Sequence, residues 1–571
     1  MSAPAGPAGT RPLNVVLCWH MHQPEYRDLG SGAFTLPWTY LHAIKDYADM
    51  AAHLEAVAGA RAVVNFAPVL LDQLGAYTTA IASHLTGGAL LPDPLLASLA
   101  PGGLPTDPAA ACHLLQQCLR AQREHLIDRF PAFRELVAHA EAIGPGTAVP
   151  ADLLGGLTVW YHLAWLGESV RRADPRVARL IDKAHGFDAS DRRELLEVIG
   201  GLVAGIIPRY RHLAERGQVE IAVSPWGHPI LPLLIDVQSA REQLPTAPLP
   251  AMAYPDGAAR ARWHARRARE SCAAAFGVVP RGCWPSEGAV SEAVVRLLGE
   301  EGFDWVASGE GVLAASLARS APAEGVAVRH RPFRLERAGP ACFFRDDELS
   351  DRIGFTYGRW HGDDATANFI ASLEAIAAED TGGPSRTVAV ILDGENAWEY
   401  YPFNGHYFLR GIYERLAAHP LLRQTTFSDV LDEGQPAVEL PRLVTGSWVH
   451  GSLSTWIGAP AKNRAFELLC AAKRAYDETL ATRTFVPRER RALEQQLAVC
   501  EGSDWAWWFA DFNPAAAVSD FDVLYRRHLA HLYELLGRLP PAELAVPIAT
   551  GHGRPEAGGT MQRAEAHGVG H

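Results

Sequence analysis

The sequence predicts an α/β fold in which parallel strands form either a barrel or a doubly wound sheet. Short apolar runs recur along the chain, and helical patterns separate most of them. The runs are continuously hydrophobic rather than alternating, as expected for strands whose two faces are both covered by helices. We predict seven strands, at residues 13–19, 61–66, 219–224, 281–284, 304–308, 341–345 and 387–392.

Two long stretches interrupt the alternation of strand and helix. Between about 70 and 212 the chain is too long for one crossover, and its apolar spacing predicts a helical insertion. After about residue 460, further helical patterns predict a C-terminal bundle packed on the α/β region. We therefore divide the chain into a disordered N-terminus, an α/β region with the insertion, a C-terminal helical region and a disordered tail, at 1–12, 13–435, 436–545 and 546–571.

Composition excludes some classes of partner. The 571 residues carry a formal charge of −13, which argues against a nucleic-acid partner and favours a neutral, polar substrate. No apolar window is long enough to predict a membrane span, and the N-terminus has no secretory signal pattern. None of the eight cysteines forms a CxxC pair, which favours buried free thiols. These features predict a cytoplasmic protein.

Polar side chains follow the predicted strands. In parallel α/β folds, reactive residues lie just beyond the carboxyl ends of the strands, so we expect these groups to share one rim. No Lys or Arg lies between Thr387 and Gly405 to neutralise the acids of that segment. The rim is predicted to collect His20, His22, His228, Glu287, Arg345, Asp346, Asp393 and Glu395, whereas Glu220 lies near the start of its strand.

A pair of carboxyl groups among aromatic rings suits the cleavage of glycosidic bonds. One carboxyl protonates the leaving oxygen, and the other acts as nucleophile or base. Aromatic rings stack on the C–H faces of sugars, and a poorly solvated wall raises the pKa of a neighbouring acid.

Each feature also has a structural interpretation. An acid after a strand is often a helix cap, so Ser286 and Glu287 could be capping residues. His20 and His22 could mark an ordinary strand end, or they could bind zinc together with a third residue. The aromatic segment 503–512 could serve helix packing alone. Only the combination of these features favours a catalytic site.

Five segments of the sequence resemble, in order, the five motif regions of glycoside hydrolase family 57. They include "HMHQPEY", "WPSEG" and "ILDGENAWEYYPFNG", and they lie at 20–26, 217–234, 284–288, 391–405 and 446–463. The family contains α-amylases, amylopullulanases, 4-α-glucanotransferases and branching enzymes, and the resemblance spans roughly residues 14–530. It implies a (β/α)7 barrel followed by helical segments, with a retaining mechanism. The fourth region looks closest to the amylopullulanase-like branch.

The resemblance also implies roles for residues at matching positions. Glu287 falls on the nucleophile, Asp393 falls on the acid/base, and Glu395 looks like a neighbour that positions or tunes them. Ala459 stands where the resemblance would place an acid. The residues expected to bind the substrate are His20, His22, Glu220, His228, Trp284, Arg345, Asp346, Glu395, Trp398, Trp456, Asp504 and Trp505, with the tryptophans of 505–508 clamping the sugar chain.

The sequence therefore predicts a retaining glycosidase that cleaves α-1,4 bonds of α-glucans such as starch, glycogen and malto-oligosaccharides, and it leaves cleavage of α-1,6 bonds open. The C-terminal helical region would complete the substrate groove. A 4-α-glucanotransferase or branching enzyme would use the same glycosyl-enzyme intermediate. A zinc hydrolase built on His20 and His22, or a non-catalytic glucan-binding scaffold, is the remaining alternative. We expect no cofactor, resident metal, nucleic acid or membrane partner, and the oligomeric state stays open.

Overall fold

The computed structural model describes residues 12–144, 147–320, 329–336, 339–379 and 384–552. Most of the two termini that were predicted to be disordered lies outside the described residues. Residues 546–552 lie within them, and there the Ile548 N–H donates a hydrogen bond to Asp522 Oδ1 at 2.7 Å. The division of the chain into regions stays a prediction.

One sheet of ten strands forms the centre of the described structure. All pairings in it are parallel except that of the sixth and seventh strands. The strands are β1 (Leu13–Met21), β2 (Ala62–Phe66), β3 (Val219–Val223), β4 (Gly282–Cys283), β5 (Trp305–Ser308), β6 (Phe333–Arg334), β7 (Ala341–Phe344), β8 (Thr387–Asp393), β9 (Leu422–Gln424) and β10 (Val438–Glu439).

Seven of these strands close into a barrel. Their order is β7-β5-β4-β3-β2-β1-β8, and a parallel bridge between Arg345 and Ala389 joins the end of β7 to β8. The Asp346 N–H completes this closure by donating to the Ala389 carbonyl oxygen at 2.8 Å. All seven predicted strands are present, so the predicted (β/α)7 barrel is confirmed.

Apolar side chains fill the barrel interior on the side where the strands begin. Alternate residues of the strands point inward and form a separate apolar cluster, which includes Cys18, Trp305 and Phe343. Helix Phe427–Asp432 closes this end, because the ring of Phe427 lies 4.5 Å from both Trp305 and Phe343. The opposite end, where the parallel strands terminate, is therefore left for a site.

Helices cover the barrel, and further helices form the predicted insertion and the predicted C-terminal bundle. Many of them begin with proline, whose fixed φ suits the first turn of a helix. Helices Trp38–His42, Ala48–Ala56, Leu231–Ile235, Gly257–Phe276, Glu292–Glu300, Glu310–Arg319, Asp347–Asp351, Gly362–Ala378 and His406–Ala418 follow the barrel strands. The insertion between β2 and β3 contains Pro68–Gly87, Pro94–Ala97, Pro108–Cys118, Pro131–Glu141, Ala151–Trp165, Glu168–Ala173, Pro175–Lys183 and Ala189–Glu215. The C-terminal bundle contains Pro460–Thr482, Pro487–Cys500, Asp504–Trp508 and Ala515–Leu535. No helix in the described ranges is long and apolar enough to cross a membrane.

Candidate active site

Glu287 lies on a strained turn directly after β4. Its φ of +58° is in the left-handed region, which costs a non-glycine residue about 1 kcal/mol or more. The loop that carries Trp448 holds the turn in place. The Trp448 N–H donates to the Glu287 carbonyl oxygen at 3.1 Å, and its indole Nε1–H donates to Glu287 Oε2 at 2.9 Å. The carboxyl group of Glu287 is thereby fixed at the barrel mouth.

Asp393 is the last residue of β8, where it pairs in register with His20 of β1. Its Oδ2 accepts a hydrogen bond from Asn396 Nδ2 at 2.8 Å. The next peptide is also fixed, since the Gly394 N–H donates to the His20 carbonyl oxygen at 2.7 Å. The carboxyl end of β8 therefore presents Asp393 at the same mouth as Glu287.

The two carboxyl groups interact across the mouth. In the ring, β4 and β8 are separated by three strands on one side and by two on the other. Burial, followed by the charge of Asp393, raises the pKa of Glu287 to about 8, although the Trp448 hydrogen bond opposes the shift. Burial also raises the pKa of Asp393 to about 6, against the opposing effects of Asn396, His22 and Arg345. Near neutral pH the pair therefore holds one proton.

A chain of hydrogen bonds fixes two buried imidazoles below the mouth. His20 Nδ1 lies 2.7 Å from Asn65 Oδ1, His20 Nε2 lies 3.1 Å from His228 Nε2, and His228 Nδ1 lies 2.9 Å from Ser503 Oγ. Burial, with the neighbouring imidazoles, lowers the pKa of His20 to about 3 and the pKa of His228 well below its usual value. Both rings are therefore neutral, so each has one N–H donor and one acceptor nitrogen. Because Asn65 Oδ1 accepts a hydrogen bond, His20 donates to it and His228 donates to His20. The Ser503 hydroxyl must then donate to His228.

His22 and Asp504 form the outer part of this cluster. His22 Nε2 lies 2.8 Å from Asp504 Oδ1, and the His22 ring stacks on the His228 ring at 3.8 Å with an interplanar angle of 21°. One nitrogen or oxygen atom from each of His22, His228 and Asp504 lies within 4.8 Å of the others. However, imidazole lone pairs lie in the ring plane, so two nearly parallel stacked rings cannot direct theirs at one ion. These three donors therefore do not form a ready zinc site, and the zinc-hydrolase alternative, which uses His20 and His22 with a further residue, stays a prediction.

Glu395 supports the segment that follows β1. Its Oε1 accepts hydrogen bonds from the His22 N–H at 3.0 Å, Gln23 Nε2 at 3.1 Å and the Tyr47 hydroxyl at 3.1 Å. Its Oε2 is buried and has no hydrogen-bond partner among the described residues. Burial and then the charge of Asp393 raise the pKa of Glu395 well above its usual value. These contacts match the predicted positioning role, which stays a prediction.

Arg345 links the two sides of the mouth. Its Nε–H donates to the Ile391 carbonyl oxygen at 2.7 Å, and it pairs with Asp347 at 2.8 Å and Asp351 at 2.7 Å. The guanidinium carbon lies 5.3 Å from the centre of the Trp448 ring. Arg345 therefore orders the walls of the site. Its charge also lowers the pKa of Asp393, although by less than Asn396 and His22 do.

Of two acids predicted to bind the substrate, Glu220 lies at the amino end of the barrel, which contradicts its prediction, whereas Asp346 lies just after β7 and its binding role stays a prediction. Glu220 is the second residue of β3 and accepts hydrogen bonds from Trp305 Nε1 at 2.7 Å and from Ser428 Oγ at 2.6 Å. It therefore caps the closing helix at the amino end of the barrel. Asp346 caps helix Asp347–Asp351 through the Leu349 N–H at 2.9 Å and contacts His330 Nε2 at 2.9 Å.

Four of the predicted sugar-binding tryptophans are core residues, so direct stacking on the substrate is also wrong for them. Their exposed fractions are 3% or less, for Trp284, Trp398, Trp456 and Trp505. Trp398 Nε1 donates to the Gly394 carbonyl oxygen at 2.8 Å and packs on Trp19 behind the loop. Trp507 and Trp508 stay partly exposed.

The structure adds residues that the sequence interpretation missed. Trp448 contacts Glu287, Asn65 and Ser503 end the histidine chain, and Asn396 contacts Asp393. For two of these residues the sequence contained a feature that could have identified them. Trp448 lies inside the motif segment 446–463, and Asn65 is a polar residue inside an apolar strand.

A parallel barrel whose mouth holds two interacting carboxyl groups has the layout of an enzyme that cleaves glycosidic bonds. The chain belongs to glycosyl hydrolase family 57, whose family model matches residues 16–441.

Solved structures share the fold at low sequence identity. A family 57 branching enzyme from Thermococcus kodakaraensis is 16% identical with a TM-score of 0.57, covering 92% of this chain and 90% of its own. A branching enzyme from Pyrococcus horikoshii is 17% identical with a TM-score of 0.57, covering 93% of each chain. The α-amylase AmyC from Thermotoga maritima is 14% identical with a TM-score of 0.56, covering 93% of this chain and 95% of its own. No curated protein matches the sequence.

Proposed function

We propose that this protein cleaves α-glucans by double displacement, with Glu287 as nucleophile and Asp393 as acid/base. The observation that carries the proposal is that β4 and β8 bring these two carboxyl groups to one mouth, where Trp448 fixes Glu287 and the end of β8 presents Asp393. Family membership supports glycosidic-bond cleavage, and two branching enzymes and an α-amylase among the structures of the same fold support α-glucans as substrates.

In the first step, a Glu287 carboxylate oxygen forms a bond to the anomeric carbon. The bond from that carbon to the glycosidic oxygen breaks, its electron pair stays on the oxygen, and the oxygen takes the proton of Asp393. In the second step, Asp393 accepts a proton from water or a sugar hydroxyl, whose oxygen attacks the anomeric carbon and releases Glu287. The Trp448 indole Nε1–H donates to Glu287 Oε2 and so stabilises the carboxylate that attacks in the first step and is released in the second.

The position of the shared proton matters for the first step. Near neutral pH the pair holds one proton, and the attack requires that proton on Asp393 and an ionised Glu287. Positive charge that develops at the anomeric carbon next to Glu287 favours its ionised form. We propose that this charge, with the glycosidic oxygen beside Asp393, places the proton on Asp393 for the reaction.

We assign the histidine cluster to positioning. His20 and His228 are almost fully buried, so they orient the His22–Asp504 edge, which is the more exposed part of the cluster. That edge supplies hydrogen-bonding groups for sugar hydroxyls beside the carboxyl pair. Glucanosyl transfer uses the same first step and differs only in the acceptor of the second.

We also propose a cytoplasmic location. All eight cysteines are free and seven of them are buried, as expected in a reducing compartment.

The direct test compares Glu287→Gln with Glu348→Gln, in which the same change is made on a side chain that is 70% exposed. Glu287→Gln should lower kcat on soluble starch by at least about 10³-fold, because an amide cannot form the glycosyl ester. Glu348→Gln should keep the wild-type rate. Wild-type activity in Glu287→Gln, with an unchanged melting temperature, would refute the nucleophile role.

Product analysis separates hydrolysis from transfer. With maltoheptaose, chromatography that shows only shorter products indicates hydrolysis, and longer products indicate transfer. Maltotriose released from pullulan would show cleavage of α-1,6 bonds. An enzyme that is active on none of these glucans would contradict the proposed substrate class.

A further inference from the structure

Four exposed aromatic side chains lie on two neighbouring surface segments after β7 and β8. Their exposed fractions are 39% for Trp360, 36% for Tyr400, 40% for Phe403 and 47% for Tyr407. No other aromatic side chain among the described residues is as exposed. We call these four residues the aromatic platform. A soluble-protein surface rarely groups apolar residues in this way unless they bind something.

The two segments that carry the platform are packed together. A Cβ atom built on Gly358 would lie 3.2 Å from the Tyr400 carbonyl oxygen, and one built on Gly362 would lie 2.9 Å from the Tyr407 Cβ. Trp360 lies between these two contact points in the sequence, and the rings of Phe403 and Tyr407 are 5.5 Å apart. The two segments therefore bring the four side chains to one region of the surface, with the Phe403 and Tyr407 rings next to each other.

Backbone strain keeps part of the platform at the surface. Phe403 and the following Asn404 have φ values of +56° and +54°, each in the left-handed region that disfavours non-glycine residues. Buried contacts hold this turn, since Asn404 Nδ2 donates to Asp49 Oδ2 at 2.9 Å and Asn404 Oδ1 accepts from Lys45 Nζ at 3.4 Å. An apolar ring is thus kept exposed by a conformation that the surrounding structure enforces.

The chemistry around the rings fits a carbohydrate. The guanidinium of Arg129 lies 4.7 Å from the Phe403 ring centre, and that of Arg172 lies 5.2 Å from the Tyr407 ring centre. Arg172 Nη2 also donates to the Tyr407 hydroxyl at 2.9 Å. Aromatic rings that pack on sugar C–H groups and N–H donors for hydroxyls are the two elements of a sugar site, and here the guanidinium groups that supply the donors lie over the Phe403 and Tyr407 rings.

A short stretch of chain connects the platform to the candidate active site. Phe403 follows Asp393 by ten residues in one segment, so their Cα atoms lie at most about 35 Å apart. We propose that the aromatic platform binds a distal part of the same α-glucan chain whose scissile bond lies between Glu287 and Asp393. This inference rests on the proposed function and adds to it a second contact region for long substrates.

The test uses Trp360→Ala and Phe403→Asn, the latter because asparagine tolerates a positive φ. Leu539→Ala, at a side chain that is 93% exposed outside the platform, is the matched control. In native gels that contain glycogen, each platform variant should bind glycogen about tenfold more weakly, and the KM for glycogen should rise by a similar factor. The control should behave as wild type, and kcat/KM on maltotriose or maltotetraose should change less than about twofold in every variant.

Unchanged glycogen retention in both platform variants would overturn the inference. So would an equal loss of activity on short and long substrates, because that result indicates damage to the mouth. If the substitutions instead convert a dimer to a monomer in size-exclusion chromatography without affecting glycogen retention, the platform is a protein interface and the inference is also overturned. Wild-type protein that is retained by glycogen yet cleaves no α-glucan would contradict the proposed function alone.

Discussion

Glu287 combines a left-handed backbone conformation with a carboxyl pKa raised to about 8. Each property is unfavourable for a residue that only stabilises the fold. The strained turn is held by two hydrogen bonds from Trp448, and the raised pKa follows from burial next to Asp393. Such unfavourable features concentrate at functional sites, where they prepare a group for its reaction.

The two pKa values predict how activity depends on pH. Below about pH 6 both Asp393 and Glu287 hold protons, so no carboxylate can attack; above about pH 8 neither holds one, so no acid protonates the leaving oxygen. A plot of kcat/KM on maltoheptaose should be bell-shaped with limbs near these values. A flat profile from about pH 4.5 to 9.5 would contradict the shared-proton account.

At the scale of residues, the sequence could predict that Glu287 and Asp393 share one barrel mouth but not the walls of the site. Glu287 and Asp393 follow buried strands, and that position fixes which barrel end they occupy. The resemblance alone implied substrate binding by Glu220, whereas its position near the start of its strand directs it toward the closing helix. The exposure of a tryptophan depends on contacts far away in sequence: Trp505, for example, stacks on Tyr525, and no local pattern reports this.

At the scale of elements, β4 has only two residues, so other segments must fix the turn that carries Glu287. The segment around Trp448 does this, and it belongs to the connection between β10 and the C-terminal bundle. Ser503 and Asp504 of the bundle likewise contact His228 and His22. The site is thus completed by chain that follows the barrel.

Replacing Trp448 with Phe removes one hydrogen-bond donor and keeps an aromatic ring near Arg345. Because this donor lowers the pKa of Glu287, its loss should raise that pKa and move the alkaline limb of the pH profile upward. We expect kcat to fall about tenfold or more, since a preorganised donor to the nucleophile is lost.

The control for this change is Trp160→Phe, which removes an indole hydrogen bond to the Ala184 carbonyl oxygen in the helical insertion. That variant should keep the wild-type pH profile. If the alkaline limb stays in place in Trp448→Phe, the indole does not tune Glu287.

A buried ionic cluster joins the bundle to the barrel. Glu501 Oε2 accepts a hydrogen bond from Arg260 Nη2 at 2.7 Å and lies 2.7 Å from His264 Nε2. The other ring nitrogen of His264, Nδ1, accepts a hydrogen bond from the Gly227 N–H at 3.1 Å. Burial opposes ionisation of Glu501, but Arg260 and His264 outweigh it and hold its pKa well below the usual value. The cluster thereby supports the turn that presents His228.

Glu501→Gln should lower the free energy of unfolding by about 3 kcal/mol at pH 7, because Arg260 stays buried without its counter-charge. The depressed pKa means that ionised Glu501 stabilises the fold above its ordinary pKa of 4.5 and that this contribution declines as the pH falls. The loss in urea unfolding should therefore be smaller at low pH. Glu301→Gln, beside largely exposed Arg266, is the control, and an equal loss there would contradict the account.

At the scale of the whole molecule, the continuously apolar strands and the helices between them predict a parallel α/β fold, and the family resemblance implies a barrel rather than a doubly wound sheet. Closure of the ring could not be predicted, because it depends on one bridge between Arg345 and Ala389 and on a helix that fills the amino end. Together these features direct all polar strand ends to one mouth. The central claim is that Glu287 forms the covalent bond there.

The most direct measurement is peptide mass spectrometry after reaction with a 2-deoxy-2-fluoro maltosyl fluoride. Fluorine slows both steps and fluoride leaves without an acid, so the glycosyl-enzyme should accumulate. We predict a label on Glu287 in the wild type and in Asp393→Ala, and no label in Glu287→Gln. A label on Asp393 or on another carboxyl group, in an enzyme that cleaves α-glucans, would contradict the claim.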